Sequence, residues 1–201
     1  MIISIPAAIG MAVLADQILL MLFPTVPEGG SLLRIGSISI IFLALSQIVT
    51  GTLQGIGKVK IPAINAFWGA VTKVIFNYVL IIIPAINVKG AVISTIACYV
   101  VASLLNLFAL KRITKMRLNL MDLLFKPLFA SLAMGVVCFG AYKGIFMVIS
   151  SNTLATIVAV LISMAVYFFV MIFIKGILKE DLYMLPAGGK IVRICEKFSL
   201  I

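Results

Sequence analysis

The sequence predicts an all-α, polytopic membrane protein in which six transmembrane helices form one helical-bundle lobe, followed by a C-terminal amphipathic helix. The first observation is composition: 64% of the 201 residues are hydrophobic and 11% are charged, against about half and about a quarter in soluble domains. The second is that the apolar residues form runs of about 20, the length that crosses a bilayer. The third is that the basic residues gather in alternate links between these runs, as they do in membrane proteins.

Six segments are long and apolar enough to cross the membrane. The first is too long for the apolar core of a signal peptide, no basic region precedes it and no A-x-A cleavage site follows it. The links "PTVPEGG", "GIGKVK", "PAINVKG" and "KRITKMR" end the first four segments with Pro, Gly or charge. We therefore expect one bundle over residues 1–175, with spans at residues 2–23, 31–55, 61–83, 90–110, 124–142 and 153–174.

Residues 176–201 differ from the spans because apolar and basic residues alternate there. Ile191, Ile194 and Phe198 fall on one face of a helix, and the basic residues fall elsewhere. Such a helix lies on an anionic membrane surface with its apolar face in the lipid. We predict a cytoplasmic amphipathic tail, with a plain solvated tail as the alternative.

The positions of the basic residues predict the orientation of the spans. Arg34, Lys89 and Lys143 lie on one side, and Lys73 lies inside a span. The other twelve of the 16 lysines and arginines lie on the opposite side: Lys58, Lys60, Lys111, Arg112, Lys115, Arg117, Lys126, Lys175, Lys179, Lys190, Arg193 and Lys197. Because cytoplasmic loops carry the excess of Lys and Arg, both ends of the chain are predicted to be cytoplasmic.

Several functional classes are excluded by what the sequence lacks. It has no histidine, the commonest general base and metal ligand. Its cysteines, Cys98, Cys138 and Cys195, are too widely spaced for a metal motif. It also has no phosphate-binding glycine loop and no nucleophile beside a base. The basic residues lie between apolar runs and not on one solvated face, which argues against nucleic acid as a partner. We expect no enzymatic activity, no cofactor and no metal.

Lys73 is the strongest functional candidate because it lies in the middle of the third span. No other charged residue occurs within ten positions of it, and it lies about 15 Å from either membrane interface. On a helical wheel it falls on one polar stripe with Asn65, Gly69 and Asn77. A lysine at a helix centre is costly in lipid, so we expect it to face a polar cavity and bind an anionic substrate. The alternatives are a structural ion pair with Asp16 and a lysine bound to backbone carbonyls.

Other polar residues in the spans are weaker candidates. Asp16 is the one acidic residue within a span, and it could hold a coupling ion, balance Lys73 or play a structural part. The second span is rich in hydroxyl and amide side chains, among them Gln47 and Gln54. These could line the cavity and bind a sugar or headgroup, or they could serve close helix packing. Arg34 begins this span and could be a gate or an interfacial anchor.

Three stretches resemble a known family. "IPAAIGMAVLADQILLMLFP", "TGTLQGIGKVKIPAINAFWGAVTKVIFNYVLI" and "KGILKEDLYMLPAGGKIVRICEK" are similar to the C-terminal half of polysaccharide transporters of the stage V sporulation protein B type. These belong to the superfamily of multidrug, oligosaccharidyl-lipid and polysaccharide exporters. The resemblance covers essentially the whole chain. Members have fourteen spans in two lobes around a central cavity, and the six spans here resemble helices nine to fourteen. We therefore expect a fragment of a longer protein or a half that assembles with another chain.

The resemblance implies a flippase in the bacterial plasma membrane that moves a lipid-linked oligosaccharide or peptidoglycan precursor by alternating access. The partners it implies are the lipid bilayer, a lipid-linked saccharide diphosphate, and the missing N-terminal lobe or another subunit. Lys73, Asn77, Asn65, Gln54, Gln47 and Arg34 are the predicted cavity residues, and Asp16 is the predicted ion site. The alternatives are a multidrug or cation antiporter of the same superfamily and a membrane assembly subunit that transports nothing.

Overall fold

The structure is a computed structural model, and it describes residues 1–24, 29–84, 86–115, 124–174 and 176. Within these ranges the chain forms eight α-helices: α1 (Ser4–Val13), α2 (Ala15–Leu22), α3 (Gly30–Gly36), α4 (Ile38–Gly55), α5 (Lys60–Ile81), α6 (Val88–Thr114), α7 (Lys126–Ile149) and α8 (Asn152–Phe173). The prediction of an all-α, polytopic membrane protein is confirmed.

The described helices account for five or six membrane spans. Five are continuous enough to cross a bilayer: Gly30–Gly55, which joins α3 and α4, and then α5, α6, α7 and α8. The pair α1 and α2 makes a sixth if it is counted as one bent span. These helices follow the predicted spans closely, although α7 extends to Ile149 whereas the prediction ended at residue 142.

The first predicted span differs from the structure because it is not one straight helix. The chain bends by 76° between α1 and α2, and the break lies at Leu14, which is fully buried. Neither Pro nor Gly stands at this position, so the local sequence gives no ordinary cause for a kink. Contacts with α3 accompany the break and are described below.

The helices belong to two compact units, one covering Met1–Leu118 and the other Asn119–Ile201. In the first unit α5 and α6 pack along their length, α4 packs on α6, and α1 packs on α3 and α4. The apolar contact between α4 and α6 centres on Val49, Leu53 and Leu110. This packing leaves α4 and α5 joined to each other largely through α6.

The second unit is the pair α7 and α8. Small residues such as Ala130, Ser131, Ala155 and Ala159 are fully buried, which lets the two helices approach closely. At the turn between them the hydroxyl of Tyr142 donates to Oδ1 of Asn152 across 2.9 Å. The predicted tail, residues 176–201, lies outside the described residues except for Gly176, and the predicted division of the chain at residue 175 stays a prediction.

Candidate functional site

Arg34 connects α3 to both sides of the helix break. Its Nε donates to the backbone carbonyl of Ala12 in the last turn of α1, across 3.2 Å. Its Nη2 donates to Oδ2 of Asp16 in the first turn of α2, across 2.5 Å. One guanidinium group therefore contacts both half-helices.

Helix electrostatics favour this arrangement of charges. The C-terminal end of a helix carries partial negative charge and free carbonyls, and the N-terminal end carries partial positive charge. The positive charge of Arg34 at the C-terminal end of α1 and the negative charge of Asp16 at the N-terminal end of α2 are therefore both favourable. Arg34 thus satisfies a carbonyl that the break exposes, while Asp16 balances both Arg34 and the α2 terminus.

Gly30 allows Asp16 to take up this position. A Cβ atom at Gly30 would lie 2.9 Å from Cγ of Asp16 and closer still to Oδ1. Any side chain here would collide with the carboxylate. The sequence "GG" at the start of α3 is therefore part of the Arg34–Asp16 site, and sequence analysis gave it no such role.

A second polar region lies along the contact between α5 and α6. Nδ2 of Asn65 donates to Oδ1 of Asn106 across 2.8 Å, and Oγ of Ser94 donates to Oδ1 of Asn77 across 2.5 Å. Between these two bonds, Gly69 lies against the backbone of α6, where a Cβ would be 2.9 Å from the carbonyl oxygen of Cys98. Two predicted cavity residues, Asn65 and Asn77, therefore take part in helix packing.

Asn106 joins three helices. Besides accepting from Asn65 on α5, it donates through Nδ2 to Oγ1 of Thr50 on α4, across 3.1 Å. Its side chain is 1% exposed, so both bonds are shielded from competing solvent. Asn106 is not among the residues predicted from the sequence, although Ser94, Cys98, Ala102 and Asn106 form a stripe at four-residue spacing on α6.

Lys73 lies between these hydrogen-bonded layers. The two hydrogen bonds set the register between these antiparallel helices. Asn65 pairs with Asn106; twelve residues later on α5, Asn77 pairs with Ser94, which lies twelve residues earlier on α6. The same antiparallel register places Lys73 at the level of Cys98. The side chain of Lys73 is partly buried, and it makes no hydrogen bond or ion pair with any residue in the described part of the chain.

The remaining predicted cavity residues lie on α4. Gln47 and Gln54 are exposed, and their face of α4 is opposite the Val49 and Leu53 face that packs on α6. Gly51 lies on the same exposed face and has open space around it. The structure thus does not bring Gln47 and Gln54 into contact with Lys73 or Arg34 through any bond between described residues.

Asp16 and Lys73 do not form the ion pair that was one of the alternatives. The carboxylate of Asp16 is bound to Arg34. Within the described residues there is also no group of three His, Cys, Asp or Glu side chains that could hold a metal ion. The arrangement offers two separate cationic centres, one paired and one unpaired within the described chain.

Comparison with known proteins gives three matches. The sequence model of the MatE family matches residues 1–79. The uncharacterized membrane protein YabM of Bacillus subtilis is 26% identical over 197 residues, which cover 95% of this chain and 36% of YabM. The uncharacterized membrane protein MJ1375 of Methanocaldococcus jannaschii is 34% identical over 89 residues, covering 44% of this chain and 21% of MJ1375. No solved structure matches the chain.

These matches support a membrane protein that is similar to the MatE family over residues 1–79. The chain spans about a third of YabM and about a fifth of MJ1375, so its relatives are considerably longer. The narrower resemblance to the stage V sporulation protein B type stays a prediction.

Proposed function

We propose that this chain is one lobe of a membrane exporter that moves a lipid-linked saccharide diphosphate across the bilayer, and that Lys73 faces the phosphates. The observation that supports the proposal is that the side chain of Lys73 has no bonding partner in the described part of the chain. Its neighbours on the polar stripe are bonded to α6, whereas its ammonium group has no partner among the described residues. An anion is the natural complement of such a group.

The energetics support an anionic ligand. Lys73 lies eight residues before the end of α5, which is about 12 Å along the helix axis. Lysine at the centre of a membrane span costs about 2.5–3.5 kcal/mol on insertion scales. A water-filled cavity lowers that cost, and a phosphate entering the cavity gains the attraction of a charge that is poorly screened.

The transported molecule also carries charge that is costly to move into the membrane. A diphosphate headgroup must leave water to cross the membrane, while its lipid tail can remain in the bilayer. A fixed cation offsets part of the desolvation cost of the phosphates. Alternating access around a site near the bilayer midplane then carries the headgroup across. The matches to MatE and to two membrane proteins support transport in general, and the substrate is our proposal.

The ion pair between Asp16 and Arg34 argues against the alternative function, a cation antiporter. A coupling cation needs a carboxylate that it can bind, and Asp16 is already paired with Arg34 and packed against Gly30. In the described residues of the spans no second carboxylate is present to share the ion. The bacterial plasma membrane and the cytoplasmic chain ends also belong to the proposal: the membrane is implied by the family resemblance, and the orientation by the distribution of lysine and arginine.

The proposal is tested by translocation of a fluorescent lipid-linked saccharide diphosphate in proteoliposomes that contain the full-length protein. Lys73→Ala is expected to reduce the rate at least tenfold, whereas Lys73→Arg keeps the charge and is expected to retain part of the activity. Lys89→Ala removes an exposed lysine at the start of α6 and serves as the matched control. Membrane insertion should be equal in all variants.

Two results would contradict the proposal. Wild-type rates for Lys73→Ala would show that the cation does not serve transport. Loss of insertion in Lys73→Ala together with full rescue by Lys73→Met would assign Lys73 a packing role instead.

A further inference from the structure

We propose that Arg34 is a second anion site, selective for a phosphate group at the membrane interface, and that Asp16 is its internal competitor. The site consists of the guanidinium group of Arg34, the carbonyl of Ala12 and the carboxylate of Asp16. It lies at the break between α1 and α2, and no residue of the α5–α6 contact takes part in it.

The Arg34–Asp16 contact uses only some of the N–H donors of the guanidinium group. Arginine has five N–H donors, and it binds a carboxylate or phosphate most strongly through two parallel bonds. Here only Oδ2 of Asp16 accepts from Arg34, while Oδ1 lies against Gly30. One further donor is used by the carbonyl of Ala12, so three N–H groups have no acceptor within the described residues.

The pair is also open to an external anion. The side chains of Arg34 and Asp16 are 53% and 58% exposed, so the described protein does not cover them. Arg34 lies four residues into the span Gly30–Gly55, about 6 Å from its end along the helix axis. From that depth a long side chain can extend its charged end to the lipid headgroups, and arginine is the side chain best suited to bind their phosphates through two parallel hydrogen bonds.

Competition follows from this geometry. A phosphate can accept the unused N–H groups without breaking the bond between Nε and the Ala12 carbonyl. It repels the carboxylate of Asp16, however, and has to displace it from Nη2. Asp16 therefore lowers the affinity of the site for anions, and it keeps the guanidinium group oriented when no anion is bound.

Two sources could supply the phosphate: a bulk anionic phospholipid or a lipid-linked diphosphate. The second source rests on the proposed function, and the site itself does not. Both are tested with the full-length protein in nanodiscs made either of phosphatidylcholine alone or of phosphatidylcholine with phosphatidylglycerol. Binding of a fluorescent short-chain prenyl diphosphate is measured in each.

Asp16→Asn is expected to tighten binding of the diphosphate by roughly fivefold, the change in equilibrium constant that corresponds to an exposed ion pair. Arg34→Gln is expected to abolish this component of binding, and Lys143→Gln, an exposed lysine of the second unit, should change nothing. If the prenyl diphosphate binds equally in both nanodiscs, the site prefers the diphosphate. If phosphatidylglycerol competes with it, the site is a general lipid phosphate site.

The proposal is overturned if Asp16→Asn and Arg34→Gln weaken binding equally, because Asp16 would then support the site and not compete with the ligand. It is also overturned if neither variant changes binding. Should Asp16→Asn fail to fold, Asp16→Ser takes its place, since serine also suits the first turn of a helix. Wild-type translocation rates for Lys73→Ala, together with the expected binding results for Asp16→Asn and Arg34→Gln, would contradict only the proposed function.

Discussion

At the scale of single residues, Asn106 shows how polar groups are used inside this bundle. Its amide accepts from Asn65 and donates to Thr50, so one buried side chain fixes three helices relative to each other. Lys73 lies on the same side of α5 as Asn65 and Asn77, yet it takes no part in this bonding. The contrast separates residues that hold the helices together from the one we propose to act on a ligand.

Removing the Asn106 side chain should therefore destabilise the first unit without removing a substrate contact. Asn106→Ala leaves Asn65 and Thr50 without their partner, and we expect a loss of about 1–2 kcal/mol, since interhelical hydrogen bonds in membranes are individually modest. The loss is measured by unfolding the protein with increasing concentrations of a denaturing detergent while its helix content is monitored by circular dichroism. Thr52→Ala is the control, because among the described residues the hydroxyl of Thr52 bonds only to the carbonyl of Ile48 on its own helix.

An unchanged unfolding midpoint for Asn106→Ala would mean that the three-helix hydrogen bonds contribute little to stability. The substrate affinity of this variant should in any case stay near the wild-type value.

At the scale of helices, close packing of α5 on α6 depends on Gly69. A Cβ atom there would lie 2.9 Å from the Cys98 carbonyl oxygen and 3.2 Å from Cβ of Ala102. Neither neighbour can move without shifting α6. Gly51, on the exposed face of α4, has nothing within 4 Å of the corresponding position.

The two glycines give a matched pair of substitutions. Gly69→Ala should cost about 1–3 kcal/mol because it overpacks the helix contact. Gly51→Ala should be neutral or stabilise by up to about 1 kcal/mol, because alanine favours helix more than glycine does. Maleimide labelling of Cys98, which lies beside Gly69, provides a local measurement: faster labelling is expected only in Gly69→Ala. Equal behaviour of the two variants would refute close packing at Gly69.

The sequence predicted the helices well because a membrane span needs a long apolar run, and such runs are visible in the composition of each segment. The bend at Leu14 could not be predicted in this way. The stretch "AVLADQ" contains no Pro or Gly, and the contact that accompanies the break comes from Arg34, on another helix. Asp16 was considered a partner for Lys73 for the same reason: sequence spacing does not show which cation is near it.

The candidate site was predicted in part. A helical wheel placed Lys73, Asn65 and Asn77 on one stripe, and this follows from α-helical geometry alone. The wheel could not show that both asparagines are bonded to α6, because those partners depend on the register between two helices. The predicted cavity roles of Gln47 and Gln54 stay predictions.

At the scale of the whole molecule, the bent pair α1 and α2 decides between five and six spans. The distribution of Lys and Arg is the same in both cases, because no Lys or Arg precedes Arg34, so the prediction of six spans rests on the length and apolar composition of residues 2–23. Single cysteines in a cysteine-free background, labelled from one side of the membrane in intact cells, test this. Labels at Ile3 and Gly29 should react from opposite sides.

The same experiment checks the remaining spans. Gly57, between α4 and α5, should react from the cytoplasm, and Ser151, between α7 and α8, should react from outside. Labelling of Ile3 and Gly29 from the same side would instead make α1 and α2 a re-entrant pair.

The central claim is that the charge of Lys73 acts on the phosphates of the transported molecule, and a charge-selective translocation measurement tests it most directly. Two fluorescent lipids with the same saccharide and tail are compared in proteoliposomes, one joined by a diphosphate and one by an uncharged linker. We predict that Lys73→Gln slows the diphosphate lipid at least tenfold and leaves any movement of the uncharged lipid unchanged. Equal slowing of both lipids, or of neither, would contradict the claim.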